Sequence, residues 1–322
     1  MKSLPRSIIF IAMGAAIISM LGLFWGITDL KQEQFDLILF DIRIPRLLTV
    51  LMTGGILALL GLIFQALFQN SLASPYTSGV SAAAAFGAGL ATYSNISISI
   101  LGISSVTVGA LLATIFALVM ILTILKLMPE INSSALVLCG LICNYFFSSL
   151  LLMIQYLSDP GQLYGLTRWL LGNIVYYGYS QAIILAVIGA TSLLYFYRSR
   201  EQLDLMSLGD EIALSRGVDV NKLRKKLLIL TSVITAILVA MVGPIGFVGI
   251  IIPHITRIYF GFSHGRNVMA SFILGALFLS LCDVLAYSVL AQTELPIGLI
   301  TTLIGAPVFI VLLIRNKTYK FF

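Results

Sequence analysis

Charge is scarce in this sequence. Only 10% of its 322 residues are Asp, Glu, Lys or Arg, where a soluble domain carries about 25%. Histidine occurs twice and cysteine three times. No glycine is followed by lysine, so there is no G-x-x-x-x-G-K-[ST] loop to cradle nucleotide phosphates. No nucleophile stands beside a base in a pattern for covalent catalysis. The shortage of charge excludes a large soluble domain, and the missing phosphate loop excludes an ATPase within this chain. A metal centre is equally short of material. Cys139 and Cys143 stand four apart on one helical face, but further thiolates and imidazoles are lacking nearby, and a zinc-type site needs about four ligands. They and Cys282 read as small packing residues inside apolar runs. His254 and His264 have no companions at ligand spacing. No metal site is expected.

Apolar residues are abundant, at 59% with a mean hydropathy of +1.05, which makes a membrane the main solvent. Breaks at charges, Pro/Gly clusters and polar runs give about ten apolar segments, near 7–27, 46–67, 79–94, 100–126, 134–157, 179–197, 227–243, 245–262, 268–291 and 297–314. The expected fold is an all-α polytopic membrane protein with a single transmembrane domain over 1–322. Lys2 and Arg6 followed by the run Ser7–Thr28 resemble a signal peptide, but the run is long for one and no small-x-small site follows, so it reads as the first span. Alternating the spans with the N-terminus inside puts fifteen Lys and Arg on the inner side and four (Lys31, Arg43, Arg46, Arg168) outside. That bias sets the orientation, with both termini cytoplasmic. The basic residues lie scattered over short loops, which speaks against a nucleic-acid partner.

Two polar segments are long. Asp29–Arg46, outside, holds four carboxylates. The cytoplasmic stretch of about 199–224 mixes Glu201, Asp204, Asp210, Glu211 and Asp219 with basic residues. Its apolar Leu203, Met206, Leu208, Ile212 and Ala213 suit short amphipathic helices capped at Gly209 and Gly217; a solvated loop fits the pattern equally well. Asp283 is the one clearly embedded carboxylate, and its cost at the bilayer centre, about 2.5–3.5 kcal/mol, calls for a partner or water. A hydrogen bond at a helix contact is preferred over a proton relay. Arg43 and Arg46, at a helix end, suit either interfacial anchoring or contact with an acidic partner.

Ordered motifs go further. Arg43-Ile-Pro-Arg46 leads into Gly54-Gly55, Gly61 and Gln65. Gln69-Asn70 through Pro75 and Gly79-Val-Ser81 come next. Leu208-Gly-Asp-Glu-Ile-Ala-Leu-Ser-Arg-Gly-Val218 lies in the cytoplasmic loop. Gly243-Pro244 through Gly249 runs to Pro253-His254-Ile-Thr-Arg257, and Glu294-Leu-Pro296-Ile-Gly298 leads to Thr301 and Gly305-Ala-Pro307. From about residue 40 onward this order resembles the FecCD-type permeases of bacterial ABC importers for ferric siderophores, haem and vitamin B12. The resemblance implies a type II importer: a dimer of ten-span permeases, identical or homologous, in the bacterial inner membrane. Two ATPase subunits, which hold the ATP and Mg, would dock on Leu208, Gly209, Asp210, Ala213, Arg216, Gly217 and Val218. An extracytoplasmic binding protein would present carboxylates to Arg43 and Arg46. Gln65, Asn70, Pro75, Gly243, Pro244, Pro253, His254, Asp283, Glu294 and Pro296 become structural or pathway candidates. This chain would bind no cofactor and catalyse nothing itself. An iron(III)–siderophore is the expected cargo, with haem or a corrinoid as alternatives and a proton-coupled carrier as a remoter reading. Two departures stand out. Tyr287 occupies the place of an arginine common in the family, and Arg216 the place of a leucine.

Overall fold

The computed structural model describes residues 13–14, 17, 19–20, 22, 35–76, 79–95, 104–127, 133–172, 174, 178–289 and 294–315. These residues form twelve α-helices and no strand. Six helical stretches among them are long and apolar enough to cross a membrane, and three shorter apolar helices accompany them. Most of the expected first span, 7–27, lies outside the described residues; Met13, Gly14, Ile17, Ser19, Met20 and Gly22 within it are helical.

The described residues divide between two compact units, within Met1–Leu62, Ile174–Asp204 and Phe247–Asn316 for the first and Ile63–Asn173, Leu205–Gly246 and Lys317–Phe322 for the second. In the first unit a π-helical turn, Leu37–Arg43, runs into α1 (Ile44–Phe68), so this span starts earlier than its hydropathy suggests. Small residues decide where the helices cross. A methyl group on Gly54 would run into the carbonyl oxygen of Gly275 on α11 (His264–Ser288), and one on Gly61 into that of Gly249 on α10 (Val248–Phe260). Only glycine lets backbones approach so closely, and in lipid such packing replaces the hydrophobic drive between helices. Phe272 of α11 packs beside Gly189 of α6 (Tyr179–Arg198) and against Gly55. The last helix, α12 (Ile297–Arg315), packs on α10 and α11. At the other edge of α11, the Ser19 and Ser280 hydroxyls share a buried 2.7 Å hydrogen bond.

The second unit gathers around α2 (Val80–Tyr93), an alanine-rich helix of 14 residues. It packs on α3 (Ser105–Leu127), α4 (Ser133–Leu157), α5 (Pro160–Leu170) and α9 (Val220–Val242). Gly87 and Gly109 bring α2 and α3 together, each leaving no room for a methyl on the other. Buried Cys143 lies against Gly79, whose positive φ of 78° starts α2. Helix α5 comes as an addition: the sequence reading placed no helix between 157 and 179. It is amphipathic, with Pro160 in its first turn and a capping box from Asp159 and Gln162. Two further expectations shift. Helix α9 begins at Val220, so Lys222, Arg224, Lys225 and Lys226 are helical rather than loop. The span expected at 245–262 shortens to α10, because Gly243–Phe247 is non-helical. A helix of 13 residues covers only ~20 Å. The break is tolerated where protein covers it, and Gly243, Pro244 and Ile245 are buried.

Candidate functional site

In the first unit, a charged cluster forms at the start of α1. The π turn ends in Arg43, and its Phe40 carbonyl accepts the Tyr179 hydroxyl at 2.7 Å. One α-helical turn on, Arg46 points towards the last turns of α11. Its Nε and Nη2 donate to Oδ1 of Asp283 at 3.2 and 3.0 Å, and its Nη1 donates to Oε2 of Glu294 at 2.8 Å. The Tyr287 ring lies 5.9 Å from the guanidinium carbon, so this side chain faces a cation instead of adding one. The Asp283 side chain is 7% exposed and that of Glu294 56%, which makes these one buried and one open ion pair. Arg43 donates from Nη1 to the Gly22 carbonyl at 3.2 Å. The sequence placed both arginines outward for a partner. The structure engages Arg46 within the chain, on a carboxylate whose partner the sequence left unnamed.

At the opposite end of α11, Asp204 accepts the backbone N–H of His264 at 2.7 Å, and its Oδ1 also meets the ring Nδ1 at 2.7 Å. Asp204 thereby caps α11 from another segment. Burial works against its ionised form, yet the hydrogen bonds from the His264 ring and backbone outweigh it and hold the carboxyl below its usual range.

In the second unit lies most of the segment expected to meet an ATPase. Two short helices, α7 (Arg200–Ser207) and α8 (Asp210–Ser215), and the start of α9 occupy the expected 199–224 stretch; α7 begins in the first unit and ends in this one. Gly209, at φ 117°, separates them. Gly217, at φ 80°, ends α8, with Gly217 N–H bonding Leu214 O and Val218 N–H bonding Ala213 O. This pair of bonds is a Schellman end, which needs a left-handed residue and so favours glycine. Ala213 is buried, as are Leu203 and Met206. Leu208, Ile212 and Leu214 are 64, 46 and 59% exposed, and Arg216 is also exposed. Asp210, first in α8, accepts from both terminal nitrogens of Arg224 on α9, at 2.8 and 2.9 Å. Gln69, at the end of α1, donates to Met206 O at 3.2 Å and reaches Asp210 Oδ1 at 3.5 Å. Asp219 caps α9. The Lys222 backbone N–H, 3.1 Å away, and then its ammonium, 3.2 Å away, lower its pKa.

The remaining candidates scatter. Gln65 is fully buried in α1, and Asn70 accepts the Leu72 N–H in the turn before buried Pro75. Pro253 and His254 are buried in α10, the His254 ring 6.3 Å from that of Phe309. Pro296 is half-buried, two residues after exposed Glu294. Among the described residues, no three of His, Cys, Asp and Glu cluster as a metal site. Arg224 is the buried, paired charge that sequence reasoning missed. Its signal was periodic: Val220, Leu223, Arg224, Leu227, Leu228 and Thr231 make one buried stripe, while Lys222, Lys225 and Lys226 fall outside it.

Comparison with known proteins places this geometry in context. The family model of the FecCD transport family matches residues 6–315. The hemin transport system permease protein HmuU of Yersinia pestis is 32% identical over 319 residues, covering 97% of this chain and 94% of that protein. The iron(3+)-hydroxamate import system permease protein FhuG of Bacillus subtilis is also 32% identical over 319 residues, covering 96% and 93%. A solved inward-facing conformation of a putative metal-chelate type ABC transporter superposes with a TM-score of 0.82 at 28% identity, over 95% of this chain and 99% of that one.

Proposed function

Since the chain belongs to the FecCD transport family and is a membrane permease of an ABC importer, we propose that it carries an iron(III)–siderophore complex across a bacterial cell membrane while partner ATPases supply the energy. The observation that carries the ATPase coupling is the exposed apolar set Leu208, Ile212 and Leu214 on and beside α8, in an otherwise charged segment. Leucine and isoleucine held outward on a short helix between Gly209 and Gly217 suit burial against another subunit. Gly209, Ala213, Gly217 and Val218 set that helix's shape, and exposed Arg216 stands ready for a carboxylate on the ATPase. No bond of the cargo is made or broken by this chain, so it is not itself an enzyme.

The binding protein docks at the Arg43–Arg46 end. Arg46 keeps its buried pair with Asp283 and exchanges open Glu294 for an incoming carboxylate. Such charged contacts give orientation and on-rate more than affinity. A second permease subunit, identical or homologous, completes the pathway, and cytoplasmic N- and C-termini follow from the basic-residue bias.

Haem is the second reading for the cargo. The hemin and hydroxamate relatives stand at the same 32% identity over 319 residues, so likeness alone does not separate the two. The test is uptake by a strain lacking this chain and offered labelled iron(III) hydroxamates and catecholates, haem and cobalamin. Restoration of siderophore uptake alone by the returned gene supports the proposal; restoration of only haem or cobalamin uptake overturns the cargo. Transport that survives ATP depletion and stops in Asp283→Asn would instead indicate a proton-coupled carrier.

A further inference from the structure

Arg224 is the largest fully buried side chain among the described residues, with 2% of it exposed. Enclosing a guanidinium is costly unless its charge and N–H groups are met. Both terminal nitrogens go to the two oxygens of one carboxylate, Asp210, in the forked geometry that only arginine supplies. Asp210 opens the same short helix that carries the exposed apolar set: Ile212 and Leu214 point out while Ala213 points in. Gln69 approaches the same carboxylate and also holds the Met206 carbonyl, just before the Gly209 break. Gln69 adopts a positive φ of 46°, unusual for a residue with a side chain. One carboxylate therefore gathers the exposed helix α8, the first turn of α9 and the end of α1.

We propose that Arg224 is the positioning residue that transmits displacement of α8 into the transmembrane helix α9, acting through Asp210, with Gln69 as the second strut to α1. The proposal rests on the reading of α8 as the ATPase contact and deepens it. A short helix with glycine at both ends, Gly209 and Gly217, is poorly coupled to its flanks through the backbone alone. A bidentate ion pair resists both sliding and rotation, whereas a lysine ammonium, a point charge on a flexible stem, allows both. Arg224 is too buried to touch the ATPase itself, so its effect is separable from docking.

The test uses the permease purified with its partner ATPase, in lipid nanodiscs. Hydrogen exchange is followed over α8 and over residues 220–231 of α9, without nucleotide and with ATP and vanadate. Wild-type, Arg224→Lys, Arg224→Met and the double variant Asp210→Asn/Arg224→Met are compared. The double variant leaves no buried charge unpaired. In the wild type, nucleotide shifts exchange in both segments. In Arg224→Lys and Arg224→Met the response in α8 and the ATP hydrolysis rate persist, and in all three variants the α9 response falls by about tenfold, least in Arg224→Lys. An α9 response equal to wild type in Arg224→Lys and in the double variant overturns the proposal. Failure of every variant to hold the ATPase also overturns it, since a linkage buried away from the surface leaves docking intact. Absence of ATPase from the wild-type preparation instead defeats the reading of α8 on which the proposal stands.

Discussion

Replacing Arg46 with methionine should destabilise the protein far more than removing the open partner, Glu294. Arg46→Met strips two hydrogen bonds from Asp283, whose side chain is 7% exposed, and one from Glu294, which is 56% exposed. Leaving a buried carboxylate unpaired costs about 3 kcal/mol. Loss of the open pair costs under about 1 kcal/mol, because water replaces the arginine. At about 2–4 °C per kcal/mol, Arg46→Met lowers the melting temperature by about 6–12 °C and Glu294→Gln by less than about 4 °C. The double variant Arg46→Met/Asp283→Leu removes both buried charges and recovers most of the loss, as apolar replacements of buried pairs often do. Thermal unfolding of the purified permease in one detergent, followed by tryptophan fluorescence, measures all of these. A Glu294→Gln effect as large as that of Arg46→Met, or a double variant no better than Arg46→Met alone, would refute the division into buried and open pairs.

Three further outcomes follow from other parts of the molecule. Gly61→Ala drives a methyl group into the Gly249 carbonyl and should cost about 3 kcal/mol or more by overpacking, whereas Gly165→Ala in α5 meets nothing within 4 Å and should be neutral or stabilising; melting temperatures distinguish them. Leu208→Glu with Ile212→Glu should abolish co-purification of the partner ATPase while leaving membrane insertion unchanged, read by pull-down and membrane fractionation; retained ATPase would remove α8 as the contact. Asp204 has a lowered folded-state pKa, so its contribution is present above the ordinary carboxylate value and is lost as pH falls through the folded one. Melting temperature should therefore fall as pH drops below the ordinary carboxylate value of about 4 in the wild type, and fall less in Asp204→Asn; parallel curves would count against the Asp204–His264 cap.

Much of this fold was legible because membrane burial leaves a one-dimensional trace. Long apolar runs had to become helices, since hydrocarbon offers no partner to backbone amides. The glycine caps of α7 and α8 were readable for a similar local reason: a left-handed residue is needed where a short helix stops. Contacts between distant segments left no such trace. Nothing in the spacing of Arg46 and Asp283, 237 residues apart, reveals that Gly54 and Gly275 bring α1 and α11 into contact. The loop-by-loop count of basic residues treated Arg46 as outward and Arg224 as cytoplasmic, because it asks only on which side a charge lies. Helical phase asks which face it lies on, and by that measure Arg224 was already on the buried stripe of α9.

Helix α11 shows why both kinds of contact are needed in one membrane element. Asp283 lies 19 residues beyond His264, about 28 Å along the axis, close to the ~30 Å of a bilayer core. Between these points the helix is held by shape, through the bare backbone at Gly275 and the Phe272 ring. Shape alone is a weak stop against sliding, because close small-residue contacts repeat along a helix at every turn or so. A charge pair does not repeat. Arg46 meets Asp283 at one end and Asp204 caps His264 at the other. A slip of one residue would move each contact by about 1.5 Å and turn it by about 100°, which breaks both. The polar groups at the two ends therefore fix the register that the glycines permit.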